Sequence, residues 1–163
     1  MKSLFLMCGP AGSGKSTWVK KQLANTKYPA KWISRDIVRE SFLSPEDKNI
    51  FAYEDAVFDE FCHQIDTALT EVDVVYADAT HLSEKARNKV LDRLHLDGVD
   101  IYPVSFQLPM ETVLAQNEER KGMGRAYVPR SVIRRMCATF QPPSENEKYT
   151  YKHILIVSPR GGE

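Results

Sequence analysis

Nine consecutive residues, Gly9-Pro10-Ala11-Gly12-Ser13-Gly14-Lys15-Ser16-Thr17, carry the most specific chemistry in the chain. Their spacing is G-x-x-x-x-G-K-[ST], and its parts serve one task, the holding of a polyphosphate. Gly9, Gly12 and Gly14 let the backbone wrap closely around an anion, through dihedrals that side chains exclude. The amides of Ala11, Ser13, Thr17 and their neighbours would point at it, helped by the positive end of a following helix. Lys15 would neutralise the β- and γ-phosphates of a nucleoside triphosphate, and the Ser16 hydroxyl suits Mg²⁺. With glycine at ~7% of residues, a chance match in a chain this long is on the order of half a per cent. The plain alternative is a glycine-rich turn with a structural lysine. Against it stand the flanks, a strand-like apolar run at Leu4–Cys8 and a helical pattern at Trp18–Ala24.

Three further groups could do chemistry beside such a loop. In Ser34-Arg35-Asp36-Ile37-Val38-Arg39, Asp36 can accept the proton of an attacking hydroxyl. Arg39, one helical turn on, can hold an anionic group with its planar fork. The plain reading is that Asp36 caps a helix and Arg39 pairs with it at i, i+3. Asp78 closes the hydrophobic run Ala77-Asp78-Ala79-Thr80-His81, where a carboxylate can orient Mg²⁺-bound water or meet an acceptor; otherwise it sits in a capping loop. His81 reads as a polar loop residue rather than a catalyst. Last come Arg120, Arg125 and Arg130 around Gly122 and Gly124. A glycine-hinged, arginine-bearing lid would spread positive charge over a transferring phosphoryl group and exclude water. The alternative is a solvated basic loop.

The elements that must position these groups alternate in type. Strands are expected at Leu4–Cys8, Lys31–Ser34, Val72–Ala77, Ile101–Phe106 and His153–Val157. Helices are expected after the phosphate loop, from Ser83 to Leu94, from Met110 to about Arg120, and from Pro129. Ser44-Pro45-Glu46-Asp47 has the form of a helix start. It predicts a long amphipathic helix with Ile50, Tyr53, Val57, Phe58, Phe61, Ile65 and Leu69 on one face. Near-continuous apolar strands separated by helices imply an α/β fold with a five-stranded parallel sheet covered on both faces. Ligands then lie at the carboxyl ends of the strands.

Composition narrows the class. The 163 residues suit one domain, with the lid at about 117–130. Lysine plus arginine equals aspartate plus glutamate at 22 each, so no overall basic field would bind a long duplex. No apolar stretch is long enough to cross a membrane, and the N-terminus reads as a strand rather than a signal peptide. Cys8, Cys62 and Cys137 are odd in number and widely spaced. They read as free, mostly buried thiols of a reducing, cytoplasmic compartment.

Taken together, Gly9–Trp18, Ser34-Arg35-Asp36-x-x-Arg39, Ala77-Asp78-Ala79-Thr80, Asn117-x-x-Arg120 and Val128-Pro129 resemble the kinase domain of bacteriophage-type polynucleotide 5′-hydroxyl kinases. The resemblance covers nearly the whole chain, with the motifs in order. It implies a three-layer P-loop kinase fold with a helical lid, ATP and Mg²⁺ as cosubstrates, and a 5′-hydroxyl nucleic acid or oligonucleotide as acceptor. In that family the aspartate matching Asp36 is the general base, and the arginine matching Arg39 grips the 3′-phosphate of the acceptor nucleotide. Arg120 matches a lid arginine on the donor phosphates, while Asp78, with Thr80 beside it, matches the lining of the acceptor site. The lid here is longer, so Arg125 stands beside Arg120 as a candidate for that role. The separate phosphatase domain of the phage enzymes has no counterpart in this sequence. The same layout serves relatives that phosphorylate aminoacyl-tRNA, nucleotide sugars or modified bases. A small-molecule, nucleoside or nucleotide-sugar kinase is therefore an alternative, as is a non-catalytic nucleotide-binding switch.

Overall fold

The β1 strand (Lys2–Cys8) alternates between two apolar faces, and both are buried. Leu4, Leu6 and Cys8 point one way, Phe5 and Met7 the other, as the period of two in a strand requires. Such a strand belongs in the middle of a sheet covered on both sides. A computed structural model, describing residues 1–123 and 127–158, has it there. The other strands are β2 (Ala30–Ser34), β3 (Val74–Asp78), β4 (Val99–Phe106) and β5 (Leu155–Val157). They run parallel in the order β2-β3-β1-β4-β5. The helices are α1 (Lys15–Asn25), α2 (Arg35–Phe42), α3 (Glu54–Glu71), α4 (Glu84–Leu91), α5 (Met110–Glu118) and α6 (Arg130–Thr139).

Right-handed crossovers decide which face each helix covers. The chain leaves β1 toward one edge through α1, and later moves back past β1 through α4, so these helices lie on opposite faces. Val19, Trp18 and Leu23 of α1 pack with Met7, Tyr76 and Phe106. Trp18 meets the rings of Tyr76 and Phe106 edge-on, each at 6.1 Å. On the other face, Phe61 and Ile65 of α3 and Val90 and Leu91 of α4 pack on Leu4, Leu6 and Ile101. A third cluster, Val113, Leu114 and Ile133, joins α5 to α6 and takes in Ala11 of the phosphate loop. The chain's reversal about β1 puts the crevice for a ligand at the carboxyl ends of β1 and β3.

Two expectations about elements are corrected. The long helix does not start at Ser44; α3 starts at Glu54. Ser44 and Asp47 form only part of a helix start: the Ser44 amide and Oγ–H both donate to Asp47 Oδ2, at 2.7 and 3.2 Å, while the Asp47 amide donates to the Ser44 carbonyl at 3.1 Å, the bond of a single turn. The turn stops there. Two residues on, Asn49 Oδ1 accepts from the Phe51 amide at 3.0 Å, a local bond that competes with helix propagation. Ile50 and Tyr53 accordingly lie before the helix, while Val57, Phe58, Phe61, Ile65 and Leu69 are buried along it. The last strand is also shorter, Leu155–Val157 rather than His153–Val157, because β4 pairs with it only over Val104–Phe106.

A buried polar network ties the late connector to the sheet. Arg87, fully buried, makes a two-pronged ion pair with Glu147, Nε to Oε1 at 3.0 Å and Nη2 to Oε2 at 2.6 Å. Its Nη1 donates to His81 O at 2.8 Å. His81 is itself buried at a positive φ of 40°, and its Nδ1–H donates to Met7 O at 2.5 Å. The imidazole is therefore a structural clamp, and burial pushes its pKa from 6.5 down to about 3.

A pH dependence follows. Below the unfolded value, the unfolded chain binds a proton that the folded chain excludes, so His81 removes stability as pH falls from 6.5 toward 3. Between about pH 7 and about pH 5 the loss is about 2 kcal/mol. Asparagine tolerates a positive φ and does not titrate. Denaturant unfolding at both pH values should show a His81→Asn variant losing about 2 kcal/mol less than wild type over that interval. Parallel losses would exclude the clamp.

Candidate functional site

The phosphate loop joins β1 to α1. Gly12 and Gly14 adopt φ of +83° and +94°, the left-handed region that side chains rarely enter. At Gly9 the constraint is space, because an added Cβ would stand 2.8 Å from Phe106 Cβ. No side chain caps α1, whose N-cap is Gly14, so the first-turn amides have no intrahelical acceptor. Ser13 Oγ is buried with no partner among the described residues, and Thr17 is exposed on the outer side of the first turn. The Lys15 ammonium is held over the loop, donating to Gly9 O at 3.0 Å and Pro10 O at 2.8 Å. Burial lowers its pKa; the charges of Asp78 and Asp36 oppose this, and Arg120 adds to it. Lys15, Asp36, Asp78 and Arg120 thus share one electrostatic neighbourhood.

Asp78 is at the carboxyl end of β3, buried, with two donors on the same oxygen. Ser16 Oγ–H donates to Oδ2 at 2.8 Å, and Trp32 Nε1–H does so at 3.0 Å. The Gly9 amide donates to Thr80 O at 2.8 Å, so Thr80 contributes its backbone to the base of the loop. This donor set suits a triphosphate with its metal: left-handed glycines, an uncapped helix start, an orphaned hydroxyl, and a second hydroxyl held against a carboxylate. Ser16 and Asp78 are the residues that would hold Mg²⁺.

Across the crevice, α2 presents Asp36 and Arg39. The cap of α2 is Ser34, whose Oγ accepts from the Ile37 amide at 3.3 Å. The helix-capping reading of Asp36 is therefore corrected: the cap position falls two residues earlier. Its i, i+3 pairing with Arg39 does form, with Arg39 Nη1 donating to Oδ1 at 2.6 Å. The Asp36 side chain stays 89% exposed. Arg39 is fixed chiefly by Glu54, receiving Nε at Oε2 over 2.8 Å and Nη2 at Oε1 over 2.9 Å. That pairing raises the Arg39 pKa and lowers that of Glu54. Glu54 is a residue the sequence reading missed. Its spacing from Arg39 marks no motif, and only the packing of α3 on α2 brings them together.

One side chain joins the two ends of the segment expected to form the lid. Asn117, fully buried, donates from Nδ2 to Val128 O at 2.6 Å and accepts at Oδ1 from the Val128 amide at 3.0 Å. A Cβ on Gly12 would come within 3.3 Å of Asn117 Cβ, so this hinge rests directly on the phosphate loop. Arg120 is half-buried in the turn after α5. Arg130, at the start of α6, pairs with Glu118 at 3.3 Å. Arg125 and Gly124 lie outside the described residues.

Parallel order, phosphate loop and lid define a kinase-type P-loop fold that binds nucleotide. The chain belongs to the AAA domain family, whose profile matches residues 4–143. No curated protein matches this sequence. Among solved structures, it is similar to a chain of the Pnkp1/Rnl/Hen1 RNA repair complex, with a TM-score of 0.71 and 21% identity over 91% of this chain. It spans half of that protein, 50% of its length. A fungal RNA kinase matches with a TM-score of 0.64 and 16% identity, over 96% of this chain and 74% of the other. A sugar kinase from Janibacter sp. HTCC2649 matches with 0.65 and 17%, over 98% and 86%. Among the described residues, no helix is long and apolar enough to cross a membrane.

The hinge gives a measurable expectation. Asn117→Ala removes both bonds and leaves the Val128 amide and carbonyl unpaired in a buried place. Urea unfolding should show a loss of about 1–3 kcal/mol. Asn117→Asp keeps the acceptor for the Val128 amide but sets a buried carboxylate oxygen against the Val128 carbonyl, and at neutral pH should cost more than Asn117→Ala.

Proposed function

We propose that this chain is an ATP-dependent phosphotransferase that moves the γ-phosphate to a 5′-hydroxyl of a nucleic acid or oligonucleotide. The observation that carries the reading is the phosphate loop, with Lys15 held over Gly9 O and Pro10 O and Ser16 held against Asp78, at the end of the sheet from which α2 presents Asp36 and Arg39. The charge of Asp36 reaches the Lys15 ammonium from α2, and that of Asp78 reaches it from β3. A base for an incoming hydroxyl and the cation for the donor phosphates thus face the same crevice.

In the proposed reaction the acceptor oxygen attacks the γ-phosphorus, and its proton passes to a carboxylate oxygen of Asp36. The bond to the β,γ-bridging oxygen breaks, and ADP leaves with the electron pair. Lys15, the α1 amides and the lid arginines Arg120 and Arg125 counter the charge on the phosphoryl oxygens. Mg²⁺ held by Ser16 and Asp78 would add Lewis-acid neutralisation of the donor phosphates. Arg39, held by Glu54, retains donors for an anionic group on the acceptor, with Asp78 and Thr80 lining the far wall. The RNA kinases with this fold support the nucleic-acid acceptor, and the sugar kinase keeps a nucleotide sugar in the test.

Labelled ATP incubated with 5′-hydroxyl DNA and RNA oligomers, nucleosides and nucleotide sugars decides the acceptor, with the oligomers expected to take the label best. Preferential labelling of nucleosides or sugars would overturn the nucleic-acid assignment. Lys15→Ala should lower transfer by several orders of magnitude without unfolding the domain. Asp36→Asn should leave ATP affinity nearly unchanged and reduce turnover by roughly two to four orders of magnitude. Equal loss of ATP binding and turnover would reduce Asp36 to a structural role.

A further inference from the structure

The segment joining α2 to α3 carries exposed rings beside the acceptor face of the crevice. Of eight large apolar side chains exposed among the described residues, Ile37, Phe42, Phe51 and Tyr53 fall within residues 37–53. Such concentration distinguishes a surface from the scatter that any protein shows. Phe51 is 58% exposed, and the Arg39 guanidinium lies over its ring at 5.2 Å. Phe42 and Tyr53 stack on each other at 6.5 Å, tilted by 29°. Glu54 and Asp36 meanwhile occupy one N–H on each nitrogen of Arg39, leaving the second N–H of Nη1 and of Nη2 for an anion. One cation–ring layer and one ring–ring layer therefore stand next to the groups assigned to the acceptor.

We propose that Phe51, with the stacked pair Phe42 and Tyr53, is a platform for the nucleobases of a single-stranded acceptor, on the 3′ side of its reactive hydroxyl. Single-stranded nucleic acids bind through stacking of bases on aromatic side chains and guanidinium planes, combined with charge along the backbone. This chain has no net charge, with 22 basic and 22 acidic residues, so little affinity can come from a general field. The exposed rings supply the complementary contribution, continuous with Arg39 as the phosphate contact. A membrane surface or an acidic peptide would need a basic surround, whereas the charged residues of this segment besides Arg39 are of both signs, Glu40, Glu46, Asp47 and Lys48, and Arg39 itself is paired to Asp36 and Glu54. The inference rests on the nucleic-acid reading above and adds a requirement for bases.

The test measures binding and transfer separately, with two short 5′-hydroxyl oligomers of equal length. One is fully base-bearing; the other carries abasic tetrahydrofuran units at the positions following the first nucleotide. Fluorescence anisotropy on wild-type protein should show the base-bearing oligomer binding about tenfold more tightly, as loss of a stacked base predicts. In Phe51→Ala that preference should fall below about twofold, and Phe51→Trp should restore it. KM for ATP reports that the variants retain the donor site. Equal weakening toward both oligomers would mean that Phe51 only steadies Arg39, and would overturn the platform. Absence of any preference in wild type would overturn it as well. Base-dependent, Phe51-dependent binding without label transfer would support the platform while refuting the kinase reading.

Discussion

The site depends on the seam between the carboxyl ends of β1 and β3. The Gly9 amide donates to Thr80 O, His81 holds Met7 O, and Ser16 holds Asp78. These contacts join the phosphate loop to the loop after β3, and each needs the other strand in parallel register beside it. Without the register that pairs Leu6 with Ala77, the carboxylate would not stand against the hydroxyl. Gly9 also packs against Phe106 of β4, so the loop is confined from its other side.

That confinement sets the electrostatics. A lysine buried at the loop would lose its charge in an apolar setting, because burial favours the neutral amine. Two loop carbonyls and the nearby carboxylates of Asp78 and Asp36 oppose that loss. Lys15 Nζ thus sits over two loop carbonyls, in a place preorganised for anionic oxygens. Arg39 is managed similarly, with its guanidinium held by Glu54 while its flat face lies against Phe51. Arginine is better suited than lysine to both contacts at once, since its plane stacks while its edge donates.

Behind the site, the Arg87–Glu147 pair and the Asn117 hinge hold the two long connections. Each is a buried polar group with its partners in place, which spares the fold the cost of unsatisfied donors. The first carries the connector before β5 onto the loop after β3. The second ties Val128, at the start of the segment leading into α6, to the end of α5 beside the phosphate loop. The turn after α5 and the Asp36–Arg39 face of α2 therefore rest on separate supports, one on α5 and the other on α2 and α3.

Local residues by themselves determined the phosphate loop, the α/β alternation, and the positions of Asp78 at a strand end and of Asp36 and Arg39 just past one, in the first two turns of α2. Those features are written in short windows: a glycine spacing that backbone geometry demands, apolar runs of strand length, and polar residues where the runs stop. The start of α3 lies beyond Ser44 and is not legible locally, because the bond from the Ser44 amide to Asp47 Oδ2 occurs in a helix start and in an isolated turn alike. Asn49 then ends what that turn begins. Only the tertiary structure decided that Glu54 clamps Arg39, that Trp32 shares Asp78 with Ser16, and that His81 is a buried clamp. Each of these joins residues brought close by parallel strand order and helix packing, whose sequence separations follow no period. Local pattern reveals what a segment prefers; which segments meet is set by burying the faces of one sheet.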